Sequence, residues 1–302
     1  MQDVTIFGID MTLNPVAFTL PIGDGWNVYW YGIIIALGFL LAIVYGMLNA
    51  KRFGVDTDRL IDVVLVVTPV AVLCARLYYI IFSDTLTLAD FFSFSSGGFA
   101  GLAIYGGVIG AFASGAIMCR LRKIKILDAF DLAAIGFLIG QGIGRWGNFV
   151  NQEAFGAATG SDWFGMTSSS VEAVLGEGEL AHPCFLYESI WCLVGVLLLH
   201  LRSKKRVFSG EIILSYCVWY GFFRGINELL RTDSLYLGAI RVSSLLSFLL
   251  CIAAAVALFV IRRRIKNPKP SDEEYIPVFA DIIEEEPKEE ETEEEENNVQ
   301  DN

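Results

Sequence analysis

Apolar residues arrive along this chain in seven blocks, roughly 27–48, 60–82, 98–119, 127–147, 184–201, 210–230 and 239–261. A helix needs about 20 apolar residues to cross the ~30 Å hydrocarbon layer of a bilayer. Blocks of that length predict an all-α integral membrane protein with seven transmembrane helices. The fourth block is the most interrupted. Asp128 and Asp131 open it, and Gly140, Gly142, Gly144 and Gly147 loosen its end. Composition agrees with the blocks: 54% of the 302 residues are apolar and mean hydropathy is +0.54, more than a soluble domain needs.

Charge sets the expected topology. Basic residues cluster at Lys51, Arg52 and Arg59; at Arg120, Arg122, Lys123 and Lys125; at Arg202, Lys204, Lys205 and Arg206; and at Arg262, Arg263, Arg264, Lys266 and Lys269. These clusters follow the first, third, fifth and seventh blocks, so an odd number of spans puts them all on one side. The positive-inside rule makes that side the cytoplasm, with the N-terminus outside and the C-terminus cytoplasmic. Residues 1–266 then form the membrane domain and 267–302 an acidic tail. From Ser271 onward the tail carries 15 acidic residues and one lysine, a net −14 that leaves the body near +2 out of the chain's −12. The pI of 4.7 therefore describes the tail. Such a tract repels itself and is expected to be disordered and solubilising.

Six cysteines are present, but their spacing gives neither a disulfide framework nor a zinc site. Cys74, Cys119, Cys192, Cys217 and Cys251 lie in or beside apolar blocks and read as small buried side chains, while Cys184 falls near the outer surface. The first block starts late, without a basic region before it, so no cleavable signal peptide is expected. Internal repeats and the nucleotide-binding and metalloprotease motifs are absent, and neither a metal nor an organic cofactor is expected. Nothing points to a nucleic-acid partner, and no oligomeric state is assigned.

Sixteen of the 22 basic residues lie in the four clusters and Lys288 in the tail; the other five are Arg76, Arg145, Arg224, Arg231 and Arg241. All five map to the outer half of a span or the outer surface, and all are arginine. A guanidinium grips phosphate or carboxylate at two points where an ammonium cannot. Arg224 and Glu228 are one helical turn apart, with Tyr220 a turn before and Arg231 continuing the same side. Tyr31, Tyr105, His182 and Glu188 fall at the same depth. Singly they read as interfacial anchors, a capping group and a structural acid; together they suggest a site, because ionisable groups in a bilayer face a cavity or a partner.

The segment "GRWGNFVNQEAFG" at 144–156 adds Arg145, Asn148, Asn151 and Glu153 among glycines that permit tight turns and close ligand approach. Arg145 fits an anionic phosphate, and Glu153 fits either orienting that arginine or taking a proton. These features describe a membrane enzyme acting on a phospholipid. An anion or lipid transporter and a purely structural membrane protein remain the alternatives. A transporter calls for a polar route through the membrane and an inward-facing gate; a scaffold calls for arginines that only support folding.

The sequence closely resembles the bacterial prolipoprotein diacylglyceryl transferase family. The family's G-R-x-G-N-F-x-N-x-E-x-x-G pattern is matched by Gly144, Arg145, Gly147, Asn148, Phe149, Asn151, Glu153 and Gly156. "WYG" at 30–32, "YGG" at 105–107, "HPCFLYE" at 182–188 and "YGFFRGINELLRTD" at 220–233 extend the likeness over most of residues 15–241. The resemblance implies a seven-span enzyme of the bacterial cytoplasmic membrane with its active region facing outward. Such an enzyme moves the diacylglyceryl group of phosphatidylglycerol to the lipobox cysteine of a preprolipoprotein, forming a thioether and releasing glycerol phosphate. Its partners would be phosphatidylglycerol, lipobox-containing preprolipoproteins and membrane lipids.

On that resemblance Arg145 and Arg224 hold the phosphate and offset charge as its bond breaks. Asn148, Asn151 and Glu153 shape the pocket, Glu228 orients Arg224, Tyr31 and Glu188 are further matched positions, and Arg231 is a gate or substrate contact. One departure bears on mechanism. Many members carry histidine where this chain has Tyr105, a residue often proposed to activate the cysteine. A phenol ordinarily titrates at about 10 and is a poor base at neutral pH. Thiol activation then falls to a tyrosinate, to Glu153 or to the substrate itself.

Overall fold

The computed structural model describes residues 2–21, 25–83, 91, 101–234, 236–238 and 240–266. The acidic tail, and positions 98–100 and 239 that open the third and seventh apolar blocks, lie outside the described residues. The helices are α1 (Trp30–Asn49), α2 (Thr57–Ile81), α3 (Ile104–Leu121), α4 (Ile126–Asn151), the short α5 (Ser169–Leu175), α6 (Cys184–Ser203), α7 (Glu211–Leu230) and α8 (Val242–Lys266). Every apolar block therefore has its helix, with ends shifted by a few residues.

Six of these helices are long and apolar enough to cross a membrane. The remaining long helix, α7, has its apolarity diluted by Arg224, Asn227 and Glu228. The bundle is apolar on its outside: Leu48, Leu65 and Ile104 are 79%, 67% and 76% exposed, and α1 buries only Gly38. Such a surface is a liability in water and the natural face toward lipid. The protein is a multi-pass membrane protein.

α1 packs on α4, α2 on α3 and α7 on α8, while α4 also meets α6 and α7. The core joins Leu132, Ala134, Ile135 and Leu138 of α4 to Cys192 and Leu199 of α6 and Ile212 of α7. Lipid tails are as apolar as leucine, so close backbone approach through small residues matters more here than water exclusion. A Cβ on Gly142 would lie 3.2 Å from Cys192 Cβ, one on Gly144 3.1 Å from Ile35, and one on Gly147 2.7 Å from the Tyr31 ring. The expectation that these glycines loosen the helix end and make turns is thereby corrected. α4 runs unbroken to Asn151, and its glycines are contact points for α1 and α6. The turn that follows belongs to Gln152 and Ala154, whose φ values are 54° and 58°, with the Glu153 N–H donating to the Asn148 carbonyl at 3.0 Å.

Short strands accompany the helices, in connections where no strand was anticipated. β1 (Gln2–Ile6) lies between β2 (Ile9–Leu13) and β5 (Met166–Ser168), β3 (Val16–Leu20) pairs with β4 (Trp26–Tyr29), and β6 (Tyr236–Leu237) with β7 (Ile240–Arg241), all antiparallel. The first apolar block thus opens as a strand, and its helix begins only at Trp30. Val4, Met166, Val171 and Ala181 pack against Phe149 of α4 and Phe185 of α6. That contact seats the three-stranded sheet on the helix ends that carry the candidate chemistry.

The basic segments meet one another at the opposite ends of these helices. Arg59 donates to the Arg122 carbonyl at 3.3 Å, Arg122 pairs with Asp62 at 3.1 Å, and Arg52 reaches Ser203 Oγ at 3.1 Å. Arg206 lies 2.6 Å from Asp128 and 3.0 Å from Asp131. Asp131 also accepts the N–H groups of Gly210, Ile212 and Ile213 at 2.9, 2.9 and 2.8 Å. An anion placed there meets unpaired donors at the positive end of α7. Glu211 is buried and paired with both Arg202 and Arg262. The acids that made the fourth block look insecure are therefore its anchor to Arg206, between α6 and α7, and to the start of α7. All six cysteines are unpaired; Cys119, Cys184 and Cys192 are buried and the others half-buried.

Candidate active site

Positions 220, 224, 227 and 228 recur at helical spacing, so α7 presents Tyr220, Arg224, Asn227 and Glu228 along one side. α6 begins just after Pro183, its N-cap, and places Glu188 in its second turn. The last turns of α4 contribute Arg145 and Asn148.

Glu188, 1% exposed, is the hub. One of its oxygens accepts from Arg145 Nη2 at 2.6 Å and the Tyr220 hydroxyl at 2.7 Å; the other accepts from Arg224 Nη1 at 3.3 Å and Asn227 Nδ2 at 3.1 Å. A carboxylate buried this fully demands such compensation. The expected Arg224–Glu228 ion pair is present at 2.6 Å. Arg145 Nη1 donates to Asn148 Oδ1 at 3.1 Å, and Asn148 Nδ2 donates to Glu153 at 2.8 Å. The two guanidinium side chains keep 19% and 17% exposure while Glu188 keeps 1%. An incoming molecule therefore meets the arginine side chains before the carboxylate.

Arg231 terminates α7. It grips Asp233 at two points, 2.8 and 2.6 Å, and lies 4.0 Å from Glu228. Burial pushes the Asp233 carboxyl upward, but the Arg231 hydrogen bond and charge outweigh it and hold its pKa below the ordinary carboxylate range. Tyr31 brings α1 to this region through its ring contact with Gly147. Asn151 is the final residue of α4 and makes no side-chain hydrogen bond among the described residues.

Tyr105 stands apart. Its hydroxyl is 3.5 Å from Ser243 Oγ at the start of α8 and its ring 6.4 Å from that of Tyr78 on α2; neither contact involves the Glu188 cluster. His182 faces the Tyr187 hydroxyl at 3.1 Å. Asn227 and Asp233, not singled out from the sequence, belong to the cluster. For Asn227 the signal was available, since it falls seven residues after Tyr220. The Arg231–Asp233 grip depends on the chain leaving the helix, which spacing does not reveal. Among the described residues no group of three or more His, Cys, Asp or Glu is placed to hold a metal ion.

Three arginines and four carboxylates at and just beyond adjoining helix ends make a site suited to an anion with bridging oxygens. The family described as Prolipoprotein diacylglyceryl transferase matches residues 15–260. The phosphatidylglycerol–prolipoprotein diacylglyceryl transferase of Limosilactobacillus reuteri (strain DSM 20016) is 39% identical over 275 residues, 86% of this chain and 94% of the relative. Those of Ligilactobacillus salivarius and Streptococcus sanguinis are 40% and 41% identical, covering 85% of this chain in each case and 95% and 98% of the relatives. The match takes in α1 through α7, every charged residue of the cluster and most of α8. The chain belongs to the prolipoprotein diacylglyceryl transferase family.

Proposed function

We propose that the protein transfers the diacylglyceryl group of phosphatidylglycerol to the lipobox cysteine thiol of a preprolipoprotein. The observation that carries this reading is the buried Glu188 holding the part-exposed side chains of Arg145 and Arg224 together, in a chain whose relatives bear that activity in their names.

The phosphate of the lipid sits against Arg145 and Arg224. The cysteine sulfur attacks the glyceryl carbon; a sulfur–carbon bond forms as the carbon–oxygen bond to phosphate breaks. Glycerol phosphate leaves with the electron pair. Preorganised guanidinium groups stabilise that developing charge, an effect worth roughly 100-fold or more in rate for a single well-placed donor. Glu153, exposed and held by Asn148, takes the thiol proton. Asn151 and Tyr31 line the lipid's approach, Glu228 orients Arg224, and Arg231 contacts the incoming substrate. Tyr105 donates a hydrogen bond that positions lipid and does not act as the base.

The enzyme works in the bacterial cytoplasmic membrane with seven spans, its N-terminus and active region outside and its C-terminus in the cytoplasm. Two observations support this topology: the basic segments contact one another at one end of the bundle, and the polar groups of α7 are paired with neighbours rather than offered to lipid. Residues 1–266 carry the activity, and deletion of 267–302 leaves turnover unchanged.

A transporter would need an inward gate connected to the arginines. The polar groups at the basic end are instead bound to one another, and Leu132, Ile135, Leu138, Leu199 and Ile212 form an apolar core on the intervening helices. The test is transfer from isotopically labelled phosphatidylglycerol to a lipobox peptide by purified protein in nanodiscs. A labelled adduct on the cysteine peptide, and none on its serine counterpart, is expected; lipid binding without adduct formation would sink the proposal.

A further inference from the structure

Arg241 is one of the five arginines outside the basic clusters, and the proposed chemistry gives it no part. It sits in β7, directly across the strand pair from Tyr236, with its guanidinium 5.4 Å from the centre of that ring. Its Nη1 donates to the carbonyl oxygen of Glu228 in a close contact, to the carbonyl of Arg231 at 3.2 Å, and lies 3.5 Å from Ser234 Oγ. The Ser234 hydroxyl donates to the same Glu228 carbonyl at 3.2 Å.

The last carbonyls of a helix have no partner within it, and a cation near them is favoured by the helix dipole. Arg241 supplies both at the end of α7. The carbonyls it takes are not arbitrary ones: they belong to Glu228, which pairs with Arg224, and to Arg231, which grips Asp233. The chain here is also tied from the other side. Ala157 N–H donates to the Leu230 carbonyl at 2.7 Å, and the Thr232 N–H and hydroxyl both point to the Phe155 carbonyl, at 3.4 and 3.3 Å. Residues 228–233 are therefore clamped between the turn after α4 and Arg241. Without Arg241 the clamp has one side.

We infer that Arg241 is a positioning residue, a strap that fixes the Glu228–Arg231–Asp233 segment through its backbone without touching substrate. The guanidinium matters because its Nη1 serves two carbonyls while its central carbon lies over the Tyr236 ring; an ammonium supplies charge and donors but not the ring contact in addition. Arg145 and Glu188 are held independently of the strap, and Arg224 keeps Glu188 as a partner besides Glu228. Its loss then affects capture of substrate by Arg231 more than the chemical step.

The experiment compares native protein with Arg241→Ala and Arg241→Lys in nanodiscs, using hydrogen exchange and the labelled transfer assay. In Arg241→Ala, amides of residues 229–234 are expected to exchange about tenfold faster, with α4 and α6 unchanged. KM for the lipobox peptide rises about tenfold while kcat stays within about threefold, and Arg241→Lys falls between. Native exchange and native KM in folded Arg241→Ala would overturn the inference. So would loss of folded protein in both variants, or a fall in kcat at unchanged KM. The kinetic arm rests on the transferase proposal but the exchange arm does not: absence of transfer by native protein counts against that proposal, while exchange still decides for or against the strap.

Discussion

At the scale of single residues, Glu188 has the largest leverage in the site. Four donors from two helices converge on it, and two of them are the arginines proposed to meet phosphate. Glu188→Gln preserves shape but removes the charge and turns an acceptor into a donor facing Arg145 or Arg224. Breaking one side of a buried ion pair costs on the order of 3 kcal/mol. The variant is expected to unfold at lower denaturant concentration and to lose roughly 100-fold or more in transfer. Turnover within a factor of two of native would show that Glu188 has no part in transfer. Asp233 makes a milder prediction. Its pKa is depressed in the folded protein, so the stability its pairing with Arg231 contributes is complete above the ordinary carboxylate pKa and is lost as pH falls through the lower folded value. The pair therefore persists unchanged across neutral pH, and a shift in the exchange of residues 231–234 between pH 6 and 8, beyond the intrinsic base dependence, would contradict it.

At the scale of elements, the glycine-rich end of α4 decides how closely the helices approach. A methyl on Gly147 meets the Tyr31 ring at 2.7 Å, so Gly147→Ala must push α1 from α4 or swing the ring. Overpacking of this kind costs about 1–3 kcal/mol, and the expected result is a lower melting temperature together with weaker lipid binding. An unchanged melting temperature would mean the contact relaxes freely. The same helix shows what the sequence could and could not disclose. Its apolar length, its Arg145 and Asn148, and Glu153 just after it were legible, because composition and motif depend on residue identity alone. That its glycines pack rather than turn was not, since glycine permits both and only a neighbour such as Tyr31 or Cys192 selects between them. Likewise Asp128 and Asp131 read as interruptions until the α7 N-terminus and Arg206 stood beside them. The short strands escaped because runs of five residues or fewer in connecting segments carry little periodic signal.

At the scale of the whole molecule, the bundle has polar clusters at its two ends, joined by a mostly apolar core. One gathers Arg145 and Arg224 on the buried Glu188; the other ties the basic segments to Asp128, Asp131, Glu211 and the start of α7. The motif residues Arg145, Asn148 and Glu153 all lie in the first, which accords with chemistry at a single face. The topology proposed here predicts that a cysteine introduced at Ser161, in the connection between α4 and α6, is labelled in intact cells by an impermeant reagent. One at Lys123 is labelled only after permeabilisation. The reverse pattern would invert the orientation and place the arginines on the cytoplasmic side.

The proposed role of the Glu188-held arginines in transfer is tested by single-turnover transfer of labelled diacylglyceryl by folded Arg145→Lys and Arg224→Lys beside native protein, with phosphatidylglycerol binding measured on the same samples. Lysine keeps the charge and loses the fork. Lipid binding within about tenfold of native and a transfer rate lowered roughly 100-fold or more are expected in each variant. Transfer at the native rate by both lysine variants would contradict that role.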